Sequence, residues 1–324
     1  MITTRACTRL GIAHPIVLAG MSGGHTNPEL VAAVSNAGGL GVLGVSSFDP
    51  DDIAAQVVEI RNRTDRPFGL NLLLFGREES IDAVLTARPP VFSTAWASPE
   101  QDLRDIFARA HDAGAVVMHM VSTLREAPRA AEAGADLIVA QGTEGGGHVG
   151  LISTLVLTPQ VARAVAPAPV LAAGGLADGA GLAAALMLGA EGVLLGTRFL
   201  ASTEAPASDS VKQALVASDG HNTLLTEIPD LISGALWPGA YGRVLRNHLI
   251  ETWTGREGEL RASRAEVAGQ VSSAREAGDT DESVLWAGQS AGLIDRIEPA
   301  GAIVERIVRE AEAILRQRII MIES

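Results

Sequence analysis

Short apolar runs alternate with segments of helical periodicity through the first two-thirds of the chain. Eight runs have the length of buried strands and are rich in branched aliphatic residues, which favours strands over buried helices. The segments between them repeat apolar residues at the spacing of an amphipathic helix. The predicted strands are residues 15–19, 41–44, 68–73, 91–95, 116–120, 137–140, 170–173 and 192–195. The predicted helices are residues 28–37, 50–61, 78–87, 99–113, 124–133, 159–166 and 179–188.

Residues with special backbone preferences stand at both ends of these helices. Asn27, Asp49, Ser98 and Thr158 each precede a proline. Such a pair predicts a capping side chain followed by proline at the first helical position. Glycine follows the last helical residue in several segments, for example at Gly114, and glycine at this place indicates a helix end. The predicted helices therefore begin at residues 28, 50, 99 and 159.

Strands that alternate with helices predict a parallel sheet, and eight such units favour a closed (β/α)8 TIM barrel. An open doubly wound sheet is the alternative. Two observations favour closure. The strand count is eight, and the glycine-rich segments follow strands, at the end where barrel active sites assemble.

The alternation stops near residue 201. We interpret residues 203–278 as a mainly helical insertion after strand eight that packs over the barrel mouth. Residues 1–202 and 279–324 then form the barrel. Within the last part, residues 293–318 have helical spacing and predict the closing helix of the eighth unit. A solvated terminal helix or a contact in a homodimer is the alternative for that segment.

Composition narrows the choice of partners. The chain has 324 residues with a formal net charge of −13, and such an acidic chain is not expected to bind nucleic acid. Cys7 is the sole cysteine, which excludes an internal disulfide framework and a cysteine-based metal cluster. No apolar run approaches the roughly 18 residues that span a bilayer, and the N-terminus lacks a signal-peptide pattern. We therefore expect a soluble, cytoplasmic protein that acts on a small molecule and has no membrane or metal partner.

The segment from Gln141 to Gly150 carries five glycines around His148, directly after a predicted strand. Glycine lets a backbone pass close to a ligand, because no Cβ obstructs the approach. His148 is the one side chain in the second half of this loop that can move protons near neutral pH. The pattern predicts a ligand lying on the backbone with proton chemistry at His148. A flexible glycine hinge with a solvated histidine is the alternative.

Two more glycine clusters follow the seventh and eighth predicted strands, Gly174-Gly175 and Gly196-Thr197. In (β/α)8 barrels the loops at these two places commonly bind phosphate through free backbone N–H groups. We therefore predict a phosphate cradle there, with a hydroxyl donor from Thr197. Tight turns without a ligand are the alternative. A Rossmann dinucleotide site is weakly supported, because no strand–turn–helix unit follows the Gly142–Gly147 glycines.

Together these segments resemble the nitronate monooxygenase (2-nitropropane dioxygenase) family of FMN-dependent barrel enzymes. Flavin-dependent enoyl-ACP reductases and some NADH:quinone reductases are similar over the same motifs. The matching segments are residues 14–21, 33–41, 67–71, 141–150, 173–179, 189–201 and 286–293.

The resemblance implies FMN at the carboxyl end of the barrel, a substrate between the flavin and the insertion, and dioxygen as the oxidant. It implies that His148 is the catalytic base. It also implies a set of cofactor-binding residues, which are Gly20, Met21, Asn71, Gln141, Gly146, Gly147, Gly174, Gly175, Gly196 and Thr197.

Two histidines depart from the family pattern. His25 follows strand one, and His119 stands where some relatives place a lysine. Both are candidates for substrate selection. A capping or solvated loop residue is the alternative for His25, and a hydrogen-bonded core histidine is the alternative for His119. For the whole chain, an NAD(P)H-dependent reductase of enoyl thioesters or quinones and a flavin-free phosphate-binding barrel remain alternatives.

Overall fold

The computed structural model of the protein describes residues 2–75, 78–235, 237 and 239–323. Eight parallel strands form its main sheet: β1 Ile16–Leu18, β2 Gly41–Gly44, β3 Phe68–Leu73, β4 Val91–Ala95, β5 Val116–Val121, β6 Leu137–Gln141, β8 Val170–Ala173 and β9 Val193–Leu195. Their order in the sheet is β1-β9-β8-β6-β5-β4-β3-β2. Hydrogen bonds of 2.9 Å between Leu40, just before β2, and both Ile16 and Leu18 join the two ends of the sheet. The sheet is therefore the predicted TIM barrel, and the open-sheet alternative is wrong.

Helices surround the barrel and one of them closes its N-terminal end. They are α1 Arg5–Leu10, α2 Pro28–Asn36, α3 Pro50–Arg61, α4 Glu78–Thr86, α5 Leu103–Asp112, α6 Glu126–Glu132, α7 Thr154–Ala164, α8 Gly179–Met187, α9 Thr197–Leu200 and, after the insertion, α15 Ala300–Glu323. Ala6 and Leu10 of α1 pack with Val17, Leu137 and Leu171 inside the barrel. Helix α15 packs between α8 and α2, so it closes the eighth unit as predicted. It begins later than predicted, because a short 3-10 helix, Gln289–Leu293, precedes it.

The predicted starts of α2 and α3 are confirmed, with Asn27 and Asp49 at the cap positions and proline behind each. The predicted starts at Pro99 and Pro159 are wrong. Helix α5 begins after Asp102, whose carboxylate accepts a hydrogen bond of 2.9 Å from the N–H of Arg104. Helix α7 begins at Thr154, so Pro159 lies inside it. A distant side chain fixes that start, because the Glu144 carboxylate accepts hydrogen bonds from both the N–H and the hydroxyl of Thr154.

The segment after α9 is mainly helical, as predicted, but it also contains two strands. Its elements are α10 Asp209–Val216, β10 Thr223–Thr226, α11 Ile228–Ser233, β11 Tyr241–Leu245, α12 His248–Trp253, α13 Glu257–Ala262 and α14 Arg264–Ala277. A short strand in the glycine-rich loop, β7 Gly147–Val149, pairs antiparallel with β11, and His148 lies opposite Gly242 in this pair. The three strands form a second sheet in the order β10-β11-β7. Main-chain hydrogen bonds thus attach the insertion to the loop that carries His148.

Candidate active site at the barrel mouth

A cavity of about 350 Å³ opens at the carboxyl ends of the barrel strands and is covered by the insertion. The walls are mostly apolar, with small residues from the barrel on one side and aromatic side chains on the other. The structure brings most of the residues singled out from the sequence to this cavity: Gly20, Met21, His25, Asn71, Gln141, Gly146, Gly147, His148, Gly174, Gly175, Gly196 and Thr197. His119 does not line it.

His148 lies on the cavity wall, in strand β7, with only 12% of its side chain exposed. Its Nε2 atom is 2.8 Å from Oδ1 of Asp230, which is equally buried in the first turn of α11. Within the described residues, no group makes a hydrogen bond to Nδ1, the other ring nitrogen. The alternative of a solvated histidine is therefore wrong for this residue.

The loop that carries His148 is fixed by hydrogen bonds rather than acting as a free hinge. The N–H of Thr143 donates to the carbonyl of Ile152 at 2.8 Å, and the carbonyl of Thr143 accepts from Nε of Arg243 at 2.9 Å. The carbonyl of Glu144 accepts from the N–H of Gln289 at 2.9 Å. Bonds from the residues before α7, from the insertion and from the segment after it thus meet at one loop, and they hold His148 in a defined place.

Aromatic side chains enclose the imidazole. The Trp237 ring stacks on His148 with centroids 3.5 Å apart and an angle of 6° between the planes. Trp286 lies 5.0 Å from the same imidazole, and Phe75 and Trp96 meet the edges of Trp237. Trp96 has a φ of 55°, which is unusual for a bulky residue and is typically found at functional sites. This side of the cavity therefore has flat, apolar walls.

The predicted phosphate cradle consists of exposed main-chain donors. Gly174 and Gly175 have φ values of 97° and 73°, a conformation that favours glycine. Among the residues that the structure describes, none accepts a hydrogen bond from the N–H groups of Gly174, Gly175 or Gly196. The Thr197 hydroxyl accepts from the N–H of Gly288 at 3.0 Å and keeps its own hydrogen for another acceptor. Unpaired N–H and O–H donors that line one cavity suit an anion such as a phosphate.

Two polar side chains on the cavity wall fit the edge of a planar heterocycle. Oε1 of Gln141 is buried and has no hydrogen-bond partner in the described part of the chain, so it can accept a bond from a bound ligand. Asn71 is held rigidly, because it donates to the Gly20 carbonyl at 3.1 Å and accepts from Ser93 at 2.9 Å. The unpaired acceptor of Gln141 and the glycine cradle both fit the FMN that the resemblance implies.

Two of the predicted cofactor-contacting glycines also have a purely internal reason to be glycine. A Cβ on Gly20 would lie 2.3 Å from Cβ of Asn71, and one on Gly146 would lie 2.5 Å from the nitrogen of Gly288. Gly147 differs, because it has a φ of 77° and nothing within 4 Å of its added Cβ. Gly20 and Gly146 are thus required by tight packing, whereas the main chain at Gly147 is open to a ligand.

His25 and Arg275 stand together on the cavity wall. Arg275, from the last turn of α14, donates from Nη2 to the carbonyl of Gly23 at 2.6 Å. Burial, with a smaller effect of the Arg275 charge, lowers the pKa of His25 to about 4, so this imidazole is neutral at pH 7. Arg275 is therefore the positive charge at this part of the wall. No local pattern predicted that this residue would reach the cavity.

His119 has a different environment. Met118 packs inside the barrel and Met120 lines the cavity, so His119 between them faces outward, toward the helices. Its Nδ1 lies 2.7 Å from the Thr94 hydroxyl and its ring packs against Phe107. Burial, with a smaller effect of the Arg129 charge, lowers its pKa to about 4. This placement fits the core alternative and not substrate selection.

The described residues contain no group of three or more His, Cys, Asp or Glu side chains placed to hold a metal ion. None of their helices is both long enough and apolar enough to cross a membrane.

Comparison with known proteins adds to this geometry. The nitronate monooxygenase family profile matches residues 5–80 and 75–310. A (3aS,4S,5R,7aS)-5-hydroxy-7a-methyl-1-oxo-octahydro-1H-indene-4-carboxyl-CoA dehydrogenase of Mycobacterium tuberculosis is 35% identical, over 93% of this chain and 94% of its own. FabK from Thermotoga maritima superposes with a TM-score of 0.87 at 35% identity, covering 98% of both chains.

A nitroalkane oxidase from Streptomyces ansochromogenes is also similar. It superposes with a TM-score of 0.83 at 31% identity, covering 97% of this chain and 99% of its own. The family profile extends over nearly the whole chain and includes both the barrel and the insertion. The chain therefore belongs to the nitronate monooxygenase family of flavin-dependent oxidoreductases.

Proposed function

We propose that the protein is an FMN-dependent nitronate monooxygenase that oxidises nitronates or nitroalkanes with dioxygen. Gly174, Gly175, Gly196 and Thr197 would bind the FMN phosphate, with Gln141 at the ring. The observation that supports this proposal most directly is that His148 and the glycine cradle line the same cavity. Among the described groups, none makes a hydrogen bond to Nδ1 of His148. The chemistry supplied by bound FMN is removal of electrons from the substrate and their transfer to dioxygen.

The protein's own part is proton chemistry and orientation. With a neutral nitroalkane, Nδ1 of His148 would take the α-proton, and the ring nitrogen that faces Asp230 would keep its hydrogen bond. With a nitronate that is already ionised, the protonated form of the same imidazole would donate a hydrogen bond from Nδ1 to the negative charge. The walls of Trp96, Trp237 and Trp286 would exclude water and hold the substrate flat.

Replacement of His148 by glutamine tests the role of the base. Glutamine can still donate to Asp230 but cannot accept a proton at neutral pH. We expect bound FMN to be retained and kcat on a neutral nitroalkane to fall by roughly 10²–10⁴-fold, the usual contribution of a general base. The loss should be smaller on a preformed nitronate. His221→Ala, on an exposed turn of the insertion, serves as the control. Unchanged turnover of His148→Gln on the neutral substrate would exclude the role.

A second candidate is dehydrogenation of a ring hydroxyl on a coenzyme A thioester. The Mycobacterium tuberculosis relative, a hydroxy-indene-carboxyl-CoA dehydrogenase, favours it, as do the flat tryptophan walls and the positive charge of Arg275. Nδ1 of His148 would then take the hydroxyl proton. An NAD(P)H-dependent reductase is the third candidate, and the structural similarity to FabK favours it.

One anaerobic experiment separates these candidates. The protein as purified, with its bound flavin, is mixed without oxygen with the nitronate of 2-nitropropane, with a bicyclic hydroxyacyl-CoA, or with NADH and NADPH. Rapid loss of the flavin absorbance with the nitronate alone supports the monooxygenase. Loss with the thioester supports the dehydrogenase, and loss with a nicotinamide supports the reductase. A colourless protein that does not take up FMN would contradict all three.

A further inference from the structure

We propose that Asp230 is the positioning residue for His148 and fixes its tautomer. This inference rests on the proposed role of His148 as the base. Nε2 of His148 would carry the hydrogen and donate it to the Asp230 carboxylate, and Nδ1 would be left unprotonated toward the cavity. The distance of 2.8 Å between Nε2 and Oδ1 is that of a strong hydrogen bond.

The chemistry of the two partners fixes the direction of the bond. An ionised carboxylate can only accept, so the nitrogen that faces Asp230 must be the one that carries the hydrogen. In a neutral imidazole the second nitrogen is then the acceptor. The described residues offer Nδ1 no competing donor, so this atom can take a proton from a substrate. When it does, the positive imidazolium lies against a negative carboxylate, which stabilises the charge.

The fold holds the two side chains together from both sides. His148 is on β7 and pairs with Gly242 of β11, which in turn pairs with β10, and Asp230 follows β10 in the first turn of α11. One three-stranded sheet therefore sets the distance between them. Ile228, Leu231 and Ile232 of α11 are buried in an apolar cluster, which fixes the helix behind the carboxylate.

Asp230 acts through His148 and not on the substrate. It does not line the cavity, and its side chain is only 10% exposed. A positioning role thus predicts a change in kcat with little change in KM. In a purely structural role the pair would only hold the insertion in place. Replacement of Asp230 would then lower the stability of the protein and leave the tautomer of the His148 imidazole unchanged.

The test reads the tautomer directly, with the flavin-loaded protein labelled with ¹⁵N in its histidine rings. Spectra are recorded at alkaline pH, where imidazoles are neutral. We expect His148 of the wild type to carry its hydrogen on Nε2. In Asp230→Asn, whose amide can donate, the Nδ1–H form should appear and kcat should fall by about 10²-fold, with KM within roughly threefold. Asp230→Glu should keep the Nε2–H form and recover most of the turnover.

Asp136→Asn is the matched control. Asp136 also pairs with a histidine, with 3.0 Å between its Oδ2 and Nε2 of His111, and its side chain is 11% exposed, but it lies outside the cavity lining. This variant should leave the His148 spectrum and kcat unchanged, even if it unfolds more readily. Thermal melting of each variant confirms that it is folded.

The outcomes separate the two proposals. An Nδ1–H form in the wild type, or the same spectrum in wild type and Asp230→Asn, overturns the assignment of Asp230. A changed spectrum with full turnover in Asp230→Asn, while His148→Gln is inactive, overturns its catalytic importance. Full turnover in His148→Gln overturns the role of the base and leaves the tautomer result standing.

Discussion

The barrel side and the insertion side of the cavity contribute different kinds of chemical groups. The barrel side offers the main-chain N–H groups of Gly174, Gly175 and Gly196. Polar side chains such as Thr197 and Gln141 stand beside them. The insertion side offers the side chains of Trp237 and Arg275, and Asp230 pairs with His148 behind the cavity wall. Main-chain donors suit a group that is the same in every relative, such as a cofactor phosphate. Side chains can be exchanged one at a time, so the insertion is the side on which substrate preference and proton transfer can diverge.

His148 belongs to both sides. Its loop follows barrel strand β6, but its own strand β7 pairs with β11 of the insertion. Substitutions on the barrel side should therefore change cofactor binding or stability. Those on the insertion side should change turnover or substrate affinity with the cofactor retained.

The largest expected effect concerns His119, whose imidazole is buried in the barrel wall and is uncharged there. The pKa of His119 is about 4 in the fold and 6.5 when unfolded, so below pH 6.5 the unfolded chain binds the proton and the folded chain does not. Stability should therefore fall as the pH drops from about 6.5 to about 4, by roughly 3 kcal/mol from this residue.

Denaturant unfolding at pH 7 and pH 4 measures this loss. The free energy of unfolding of His119→Gln should depend less steeply on pH than that of the wild type. His221→Gln should follow the wild type. Parallel pH dependences for the wild type and His119→Gln would show that the buried imidazole is protonated in the fold.

A smaller effect is expected in the cradle. Thr197→Val keeps the shape of the side chain but removes the hydroxyl, and a hydrogen bond to a charged group contributes about 1.5–3 kcal/mol. We expect the Kd for FMN, measured by fluorescence titration of the apoprotein, to rise roughly 10- to 100-fold. Thr158→Val is the matched control, because its buried hydroxyl has no partner in the described structure and lies outside the cavity lining. Equal FMN affinity in the two variants would contradict a phosphate role for Thr197.

The smallest effect is expected at Arg275, which is exposed and solvent-screened. Arg275→Gln should raise KM for a coenzyme A thioester by roughly three- to fivefold, the scale of an exposed ion pair. KM for neutral 2-nitropropane should not change. Steady-state assays with both substrates, with Arg261→Gln on the neighbouring helix as control, measure the difference. An equal rise in both KM values would assign Arg275 to general packing of the insertion.

The spacing of apolar residues predicted the barrel well, because each strand and each helix there can be recognised from its own segment of sequence. All eight barrel strands lie within a few residues of their predicted positions. The error at Pro159 has a tertiary cause, since the Glu144 carboxylate overrides the capping pattern of Thr158 and fixes the start of α7 at Thr154. The error at Pro99 has a local cause, because Asp102 caps α5 instead of Ser98.

The predicted site residues were those with a local signature, such as glycine pairs after a strand. Asp230 has none. It is 82 residues from His148, and nothing in its neighbourhood distinguishes it from other carboxylates at the start of a helix. Trp237 and Arg275 reach the cavity only through the folding of the insertion. Contacts between residues so far apart in sequence depend on how β10, β11 and β7 pair in one sheet. The spacing of apolar residues within a segment does not predict that pairing.

The pairing of β7 with β11 has a mechanical consequence. A cover joined to the reactive loop by main-chain hydrogen bonds is not an independent flap. If the insertion swings outward, it pulls strand β7, and the imidazole moves with it or the strands part. An outward swing that keeps these hydrogen bonds would therefore admit solvent and displace the imidazole at the same time.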